Sequence, residues 1–323
     1  MSDKLTVSCS PHIRDNDSTS RIMWTVFFSL IPAVAGAAMF FGFQAILVCL
    51  AAVLSAVAAE ALVQKVMDKP VTVHDGSAAV TGLLLACVLS ASTPLYMVCL
   101  GSVFAIVIVK QLFGGLGANI WNPALAARAF LQAAYSEEIN SGWAVNRYEN
   151  YFSPAADTVS SATPLSALKE GAEQLPSYAD LFFGTIKGCL GETSALLLLI
   201  GAAFLFYKRC INWRMPVLYI ASVALLTWIL PDTAHDKGWM SGDPLFHVLA
   251  GGLIIGAFFM ATDMVTTPLS NKGIIVFALG AGVLTALIRI YGGYPEGVCY
   301  SILLMNTATP LIDRFTRPRV FGT

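Results

Sequence analysis

Long apolar blocks alternate with short polar joints along this chain. The blocks run at about Ile22–Phe40, Phe43–Val63, Ser77–Ser92, Leu95–Leu112 and Asn122–Tyr135, then Thr193–Tyr207, Met215–Leu230, Leu245–Ala261, Ile274–Tyr291 and Val298–Ile312. The blocks are apolar along most of their length, so each reads as a helix that is buried or faces lipid. Crossing a bilayer takes about 20 residues, so the longer blocks are full spans. The shorter ones are flanked by Gly or Pro and are expected to be tilted, broken or re-entrant. The one long polar interruption divides the chain into an N-terminal arm (1–21), five helices (22–135), a loop (136–192), five more helices (193–312) and a tail (313–323).

Two stretches are alike. "STPLYMVCLGSVFAIVIVKQLFGGLGANIWNPA" and "TTPLSNKGIIVFALGAGVLTALIRIYGGYPEGVCYSILLMNTATP" each read Thr-Pro-Leu, a helix, a basic residue, an aromatic-Gly-Gly turn and a final helix. The offset is 174 residues at Thr-Pro-Leu and 178 at Gly-Gly. An odd number of helices per copy points the copies in opposite directions. The expectation is an all-α polytopic membrane protein with about ten transmembrane helices as two inverted five-helix repeats, with sites near their interface.

Composition agrees with a membrane body. Hydrophobic residues make up 56% and charged residues 12%, with mean hydropathy +0.70; a soluble domain carries about 25% charge. The first 21 residues are polar and show no cleavable signal pattern. With the N-terminus in the cytoplasm, the inner segments hold thirteen basic residues: Lys4, Arg14, Arg21, Lys65, Lys69, Lys110, Lys208, Arg209, Arg214, Lys272, Arg314, Arg317 and Arg319. The short outer connections hold two, Lys237 and Arg289. This bias predicts both termini in the cytoplasm and the 136–192 loop outside. The seven cysteines and four histidines are dispersed, with no C-x-x-C and no metal-ligand spacing, so no metal site is expected on this chain alone. The loop carries no Ser-His-Asp or Cys-His order, no phosphate loop and no basic run, so hydrolase and nucleic-acid readings have no support.

A few polar residues stand out against the apolar background. Asp263 closes an apolar span and should face a partner, a cofactor or a watery cavity. Arg128 lies within a short span, where it pairs with a carboxylate, binds an anion or snorkels to an interface. Asn119, Asn122, Gly114, Gly115 and Gly117 form a turn beside it that a ligand can approach closely. Glu60 is the other acidic residue suited to an ion path, with Lys65 as its expected structural neighbour.

"KQLFGGLGANIWNPALAARAF" together with "VSSATPLSALK" resembles the flavin-carrying membrane components of two related redox pumps. These are the D component of the Rnf ferredoxin:NAD oxidoreductase and the B component of the sodium-pumping NADH:quinone oxidoreductase. The resemblance covers nearly the whole chain. "SPHIR…STSRIMW", "NTATPLIDRFTRPRVFG" and the short N-terminal arm favour the Rnf type. The family carries FMN joined through its phosphate to a threonine in a motif close to D-G-x-S/T-G/A-A-T. The matching residues here are Asp157, Ser160, Ser161, Ala162 and Thr163, with Thr158 and Ser161 where the motif often has Gly. The resemblance thus implies covalent FMN on Thr163, with Ser160, Ser161 and Thr158 as rival hydroxyls.

The family's attaching enzyme works outside the cytoplasm, the side to which the charge bias assigns the loop. The resemblance also implies a second, non-covalent flavin (riboflavin) in the helix bundle, for which Asn119, Asn122, Arg128 and Asp263 are candidates. It further implies a bacterial inner (cytoplasmic) membrane location. The expected partners are the other membrane and peripheral subunits of the complex, among them a flavin subunit and iron–sulfur subunits, and a flavin-transferring enzyme during maturation. The implied role is electron transfer between ferredoxin and NAD coupled to Na⁺ or H⁺ movement. The alternatives are the quinone-reductase B component and a secondary transporter or channel without a cofactor.

Overall fold

The computed structural model describes residues 17–141, 163–172, 175–184, 186–192, 194–231 and 238–317. Ser160, Ser161, Ala162 and the rest of the motif before Thr163 lie outside the described residues. Among the described residues the regular structure is helical throughout: α1 Thr19–Phe41, α2 Phe43–Val66, α3 Ser77–Cys87, α4 Leu95–Phe104, α5 Pro123–Ala134, α6 Ser136–Ser141, α7 Pro164–Lys169, α8 Tyr178–Phe183, α9 Ala195–Tyr207, α10 Arg214–Ile229, α11 Pro244–Leu249, α12 Leu253–Ile255, α13 Asn271–Tyr291 and α14 Val298–Phe315. Each of the ten apolar blocks is helical. α6, α7 and α8 fall in the polar interval that the periodicity reads as loop.

Local chemistry sets many of the starts. Ser18, Asn122, Thr163, Ser177, Ser194, Asp243 and Ser270 each cap a helix by accepting a backbone N–H. Asn122, Thr163 and Asp243 are followed by Pro at the first helical position, where the missing N–H costs nothing. Gly42, at φ 76°, turns α1 directly into α2.

α1, α2 and α13 are long and apolar enough to cross a membrane. What α2 exposes agrees with a lipid surrounding. It buries Ala45, Ala52, Ala56 and Ala59 and turns Leu50, Leu54 and Leu62 outward. Small residues inside and leucines outside is the reverse of a water-soluble helix and is the arrangement of a membrane protein. Bare glycine backbone lets the helices close up. A Cβ at Gly201 of α9 would lie 2.1 Å from the Ser29 carbonyl oxygen of α1, and one at Gly82 of α3 would lie 2.6 Å from the Ala52 carbonyl of α2. Deeper in, the Tyr219, Thr285 and Ser301 hydroxyls join α10, α13 and α14 through contacts of 2.6–3.1 Å.

Three blocks depart from regular helix. α3 stops at Cys87 because tertiary partners take the carbonyls of its end: Gly191 N–H donates to Cys87 O (2.7 Å), Arg128 to Val88 O (2.6 Å) and Leu190 N–H to Leu89 O (2.9 Å). Beyond α4 the ladder widens over Ala105–Gln111, with i→i−5 bonds such as Leu112 N–H to Val107 O. The Leu245–Ala261 block breaks at Ala250–Gly252 and resumes with α12 and a second widened turn at Gly256–Met260. Such irregular backbone persists in a membrane body where protein covers it, and widened turns are frequent at functional sites.

Gly201→Val should lower stability by about 1–3 kcal/mol through overpacking of α1 against α9. Unfolding of the purified chain in detergent measures this.

Candidate functional site

α5 and α14 pack on each other and run antiparallel. Trp121 Nε1 donates to the Thr307 hydroxyl (2.8 Å), Cys299 Sγ to the Leu125 carbonyl (3.3 Å), and Arg128 pairs with Glu296. With its amide oriented to suit its neighbours, Asn306 accepts from Asn122 N–H (3.1 Å) and donates to Thr266 O (3.2 Å). The pair therefore has an Asn122 end and a Glu296 end, and each end carries chemistry.

At the Asn122 end lies a cavity of about 90 Å³. Asn119, Asn122 and Asp263 line it together, with Lys110, Thr81 and Thr262 and apolar walls that include Leu84, Leu116 and Phe259. Three sequence-selected residues thus meet, though they come from two distant parts of the chain. Each also does structural work. Asn122 Oδ1 caps α5 by accepting from Ala124 and Leu125 N–H, and its Nδ2 donates to Met260 O (3.4 Å). Asn119 Nδ2 donates to Trp121 O (3.0 Å). Asp263 accepts from Val265 N–H and the Thr266 hydroxyl. Gly114, Gly115 and Gly117 all hold φ near +100° or above, which shapes the loop that presents Asn119.

Beside the cavity is a buried ion pair. Lys110 Nζ contacts Glu60 Oε1 and the Ser77 hydroxyl, each at 2.6 Å, and Gln111 Nε2 donates to the same Glu60 oxygen at 2.8 Å. The widened turn of 105–111 carries both Lys110 and Gln111 to Glu60. The expected Lys65 neighbour is displaced by Lys110: Lys65 sits on the exposed side of α2. Lys110 and Arg289 are both buried, so neither is a surface charge of the kind the orientation tally counts. Removing one from each side leaves the sign of that tally unchanged.

Arg128 is not part of the cavity. It stands two turns along α5, at the Glu296 end, 5% exposed. Its guanidinium donates to Val88 O and Cys189 Sγ (3.4 Å), pairs tightly with Glu296, and lies 3.7 Å from Glu192 Oε1. Glu192 and Glu296 went unnoticed in the sequence because both sit in Gly-rich joints, "GCLGETS" and "YPEGVC", that read as loop. The available signal was a lone carboxylate next to Gly between apolar blocks. Burial pushes the Glu192 carboxyl up to about 8, with the Glu296 charge adding to the shift and Arg128 opposing it. Arg289 lines the same layer and donates to the carbonyls of Glu296, His247 and Ala250.

Thr163 begins α7. The residue is 4% exposed, and its hydroxyl is 2.8 Å from the Ser166 hydroxyl and accepts from Ser166 N–H (3.3 Å). In this conformation the hydroxyl is taken up as the cap of α7. α7 is docked on the body: Lys169 Nζ bonds the Gly292 carbonyl, and Leu165 packs over Gly251, whose added Cβ would also lie 3.3 Å from Arg289 and 3.8 Å from Glu296. Thr163 thus starts the helix that covers the Arg128 cluster.

The profile of the NQR2, RnfD, RnfE family matches residues 6–322. The chain belongs to the NQR2, RnfD, RnfE family. Among its relatives is the D component of the proton-translocating ferredoxin:NAD(+) oxidoreductase complex of Clostridium ljungdahlii, 49% identical over 98% of this chain and 96% of the relative. The D component of the Na(+)-translocating ferredoxin:NAD(+) oxidoreductase complex of Acetobacterium woodii is also 49% identical, over 98% of this chain and 95% of the relative. The D component of the ion-translocating oxidoreductase complex of Escherichia fergusonii is 36% identical over 98% of both chains. Within this family member, the two ends of the α5–α14 pair are two places, among the described residues, where charged side chains are buried in the apolar body.

Breaking a buried ion pair by removing one partner costs about 3–5 kcal/mol. Lys110→Met should therefore destabilise the chain by about that much, whereas Lys65→Met should leave it unchanged. Denaturant midpoints of the two variants in detergent test the corrected pairing. Arg128→Leu, which leaves the part-buried Glu296 carboxylate without its direct cation, should also lower the midpoint in the same assay.

Proposed function

We propose that this chain is the D component, a membrane subunit, of an ion-translocating ferredoxin:NAD oxidoreductase complex of the Rnf type. The observation that carries this reading is 49% identity over 98% of the chain to two relatives named as that component. Those two are named for different ions, so the identity favours neither H⁺ nor Na⁺. The chain would act beside the other membrane and peripheral subunits of such a complex, including flavin and iron–sulfur subunits.

Within that role, Thr163 carries FMN through a phosphoester. The motif at 157–163 supports this, and so does the helix that Thr163 opens. The residues present fit the group in one respect and restrict it in another. An ester oxygen at Thr163 still accepts a hydrogen bond, so Ser166 can keep capping it. A threonine as buried as Thr163, 4% exposed, cannot be modified where it stands. Attachment by the flavin-transferring enzyme therefore requires the first turn of α7 to lift before it docks again. When bound, FMN supplies one-electron transfer, and the protein sets its position and electrostatics. Lys169 and Leu165 would hold the tether against the body.

The cavity at the Asn122 end is the proposed place of the second, non-covalent flavin, riboflavin. Asn119, Asn122 and Asp263 offer amide and carboxylate partners to a polar ring edge, between apolar walls. Small-molecule sites usually measure ~300–1,000 Å³, against about 90 Å³ here. Binding therefore requires Leu116 and Met264, both exposed, to swing outward. Arg128 is excluded from this set, since it is committed to Glu296 and Glu192.

The membrane topology follows the same reading: ten crossings as two inverted five-helix repeats, both termini in the cytoplasm, and residues 136–192 outside the inner membrane. The antiparallel α5–α14 pair supports the inversion, because these helices close the two Thr-Pro-Leu copies.

Two measurements test the proposal. In-gel flavin fluorescence of the denatured chain, made in a host able to flavinylate, should be present in the wild type and absent in Thr163→Ala. Fluorescence that survives the substitution would move the tether to another hydroxyl, and none in the wild type would remove it. A reporter fused within 136–192 should be active only outside the cytoplasm; activity inside would reverse the topology.

A further inference from the structure

The Glu296 end of the α5–α14 pair holds an unequal set of charges. Two carboxylates, Glu192 and Glu296, face the guanidinium of Arg128. Arg128 gives its tight contact to Glu296 and spends other donors on Val88 O and Cys189 Sγ. Arg289, from α13, spends its donors on backbone carbonyls. Glu192 is left 5% exposed, with Oε1 3.7 Å from Arg128 and no hydrogen bond to that oxygen. The remaining neighbours supply no positive charge. Cys189 lies within its own segment, Cys299 comes from α14, Cys87 at the end of α3 packs on Gly191, and Gly252 allows backbone to come within van der Waals reach of Glu192 Oε1. A buried carboxylate without a full partner costs several kcal/mol, and such a group takes up a proton instead.

We propose that Glu192 is a buried proton-binding site, held beside the Arg128–Glu296 ion pair and exchanging its proton with water through Glu296. A carboxylate oxygen from each glutamate lies within 4.8 Å of the other, and the Glu296 side chain retains 14% of its exposure while that of Glu192 retains 4%. The step moves one proton and no electrons. The O–H of the Glu192 carboxyl breaks, Glu296 accepts the proton transiently and passes it to water, and Glu192 is left as an anion facing Arg128. α7 covers this layer through Leu165 at Gly251, so charge carried on Thr163 would bias the occupancy; that consequence alone rests on the flavin reading.

The test uses the full-length chain and needs no flavin. A folded-state carboxyl raised from 4.5 to about 8 means that the folded chain holds a proton that the unfolded chain has released. Stability is then highest at low pH and falls as pH rises between those values, the unfolding constant growing by up to tenfold per pH unit. Equilibrium unfolding in mixed detergent from about pH 5 to about pH 9 should show this fall in the wild type. In Glu192→Gln, which cannot ionise, that part of the slope should be gone, and the variant should exceed the wild type at the alkaline end. Identical pH profiles in the two chains would overturn the proposal. If Glu192→Gln fails to fold, infrared spectra of the wild type decide the matter. A protonated-carboxyl carbonyl band that is shielded from deuterium exchange and lost on raising the pH supports the site, and absence of such a band at about pH 6 overturns it.

Discussion

A charge inside an apolar body must find its opposite, and in this chain the opposites are far apart in sequence. Arg128 meets Glu296 across 168 residues, and Gln111 and Lys110 meet Glu60 across about 50. Breaking either set would cost about as much as a large part of a typical domain's net stability. These contacts therefore fix which helices meet. α5 must lie on the start of α14 and on the segment 186–192, and the widened turn after α4 must reach the last third of α2. The irregular backbone follows from the same requirement. α3 ends where Arg128 and the 186–192 segment take its carbonyls, and the turns at 105–111 widen so that two consecutive side chains reach one carboxylate.

The helices were legible because lipid imposes a simple rule on them. A segment that hides its backbone bonds within itself and shows apolar side chains outward leaves a continuous block in the sequence, and all ten blocks are helical. The breaks within blocks were not legible. Nothing in "SAAVTGLLLACVLSAS" says that the helix stops at Cys87, because the cause is a guanidinium 40 residues away. The small helices α6, α7 and α8 were hidden in a polar interval for the opposite reason, having little periodicity over six residues each.

Site residues were legible where one residue carries two meanings. Asn122 and Thr163 both precede a Pro, and both are helix caps. A cap is a short polar side chain held at a fixed place beside the end of a helix, and those are also the qualities that place an oxygen or an amide against a ligand. Asn122 lines the cavity together with Asn119 and Asp263. Arg128, a cation within a short span, pairs with a carboxylate instead of lining that cavity. Six residues of α-helix put it about 9 Å further along the axis than Asn122, far enough to belong to the other end of the pair. A carboxylate in a Gly-rich joint normally means a solvated turn, and only the packing of Arg128, α7 and α13 around Glu192 and Glu296 makes it otherwise.

One short, close-packed helix joins the cavity to the charge cluster. The helix is capped by Asn122 at the cavity and clamped by Arg128 at the charge cluster, and between them Leu125 and Ala127 are fully packed. A rigid segment of this length transmits a displacement with little loss, since close-packed interiors have few voids to absorb it. At its charged end the helix holds its two carboxylates unequally, Glu296 by a tight contact and Glu192 at 3.7 Å. α7, resting on Gly251 and Gly292, brings the Thr163 side of the body into contact with that same layer.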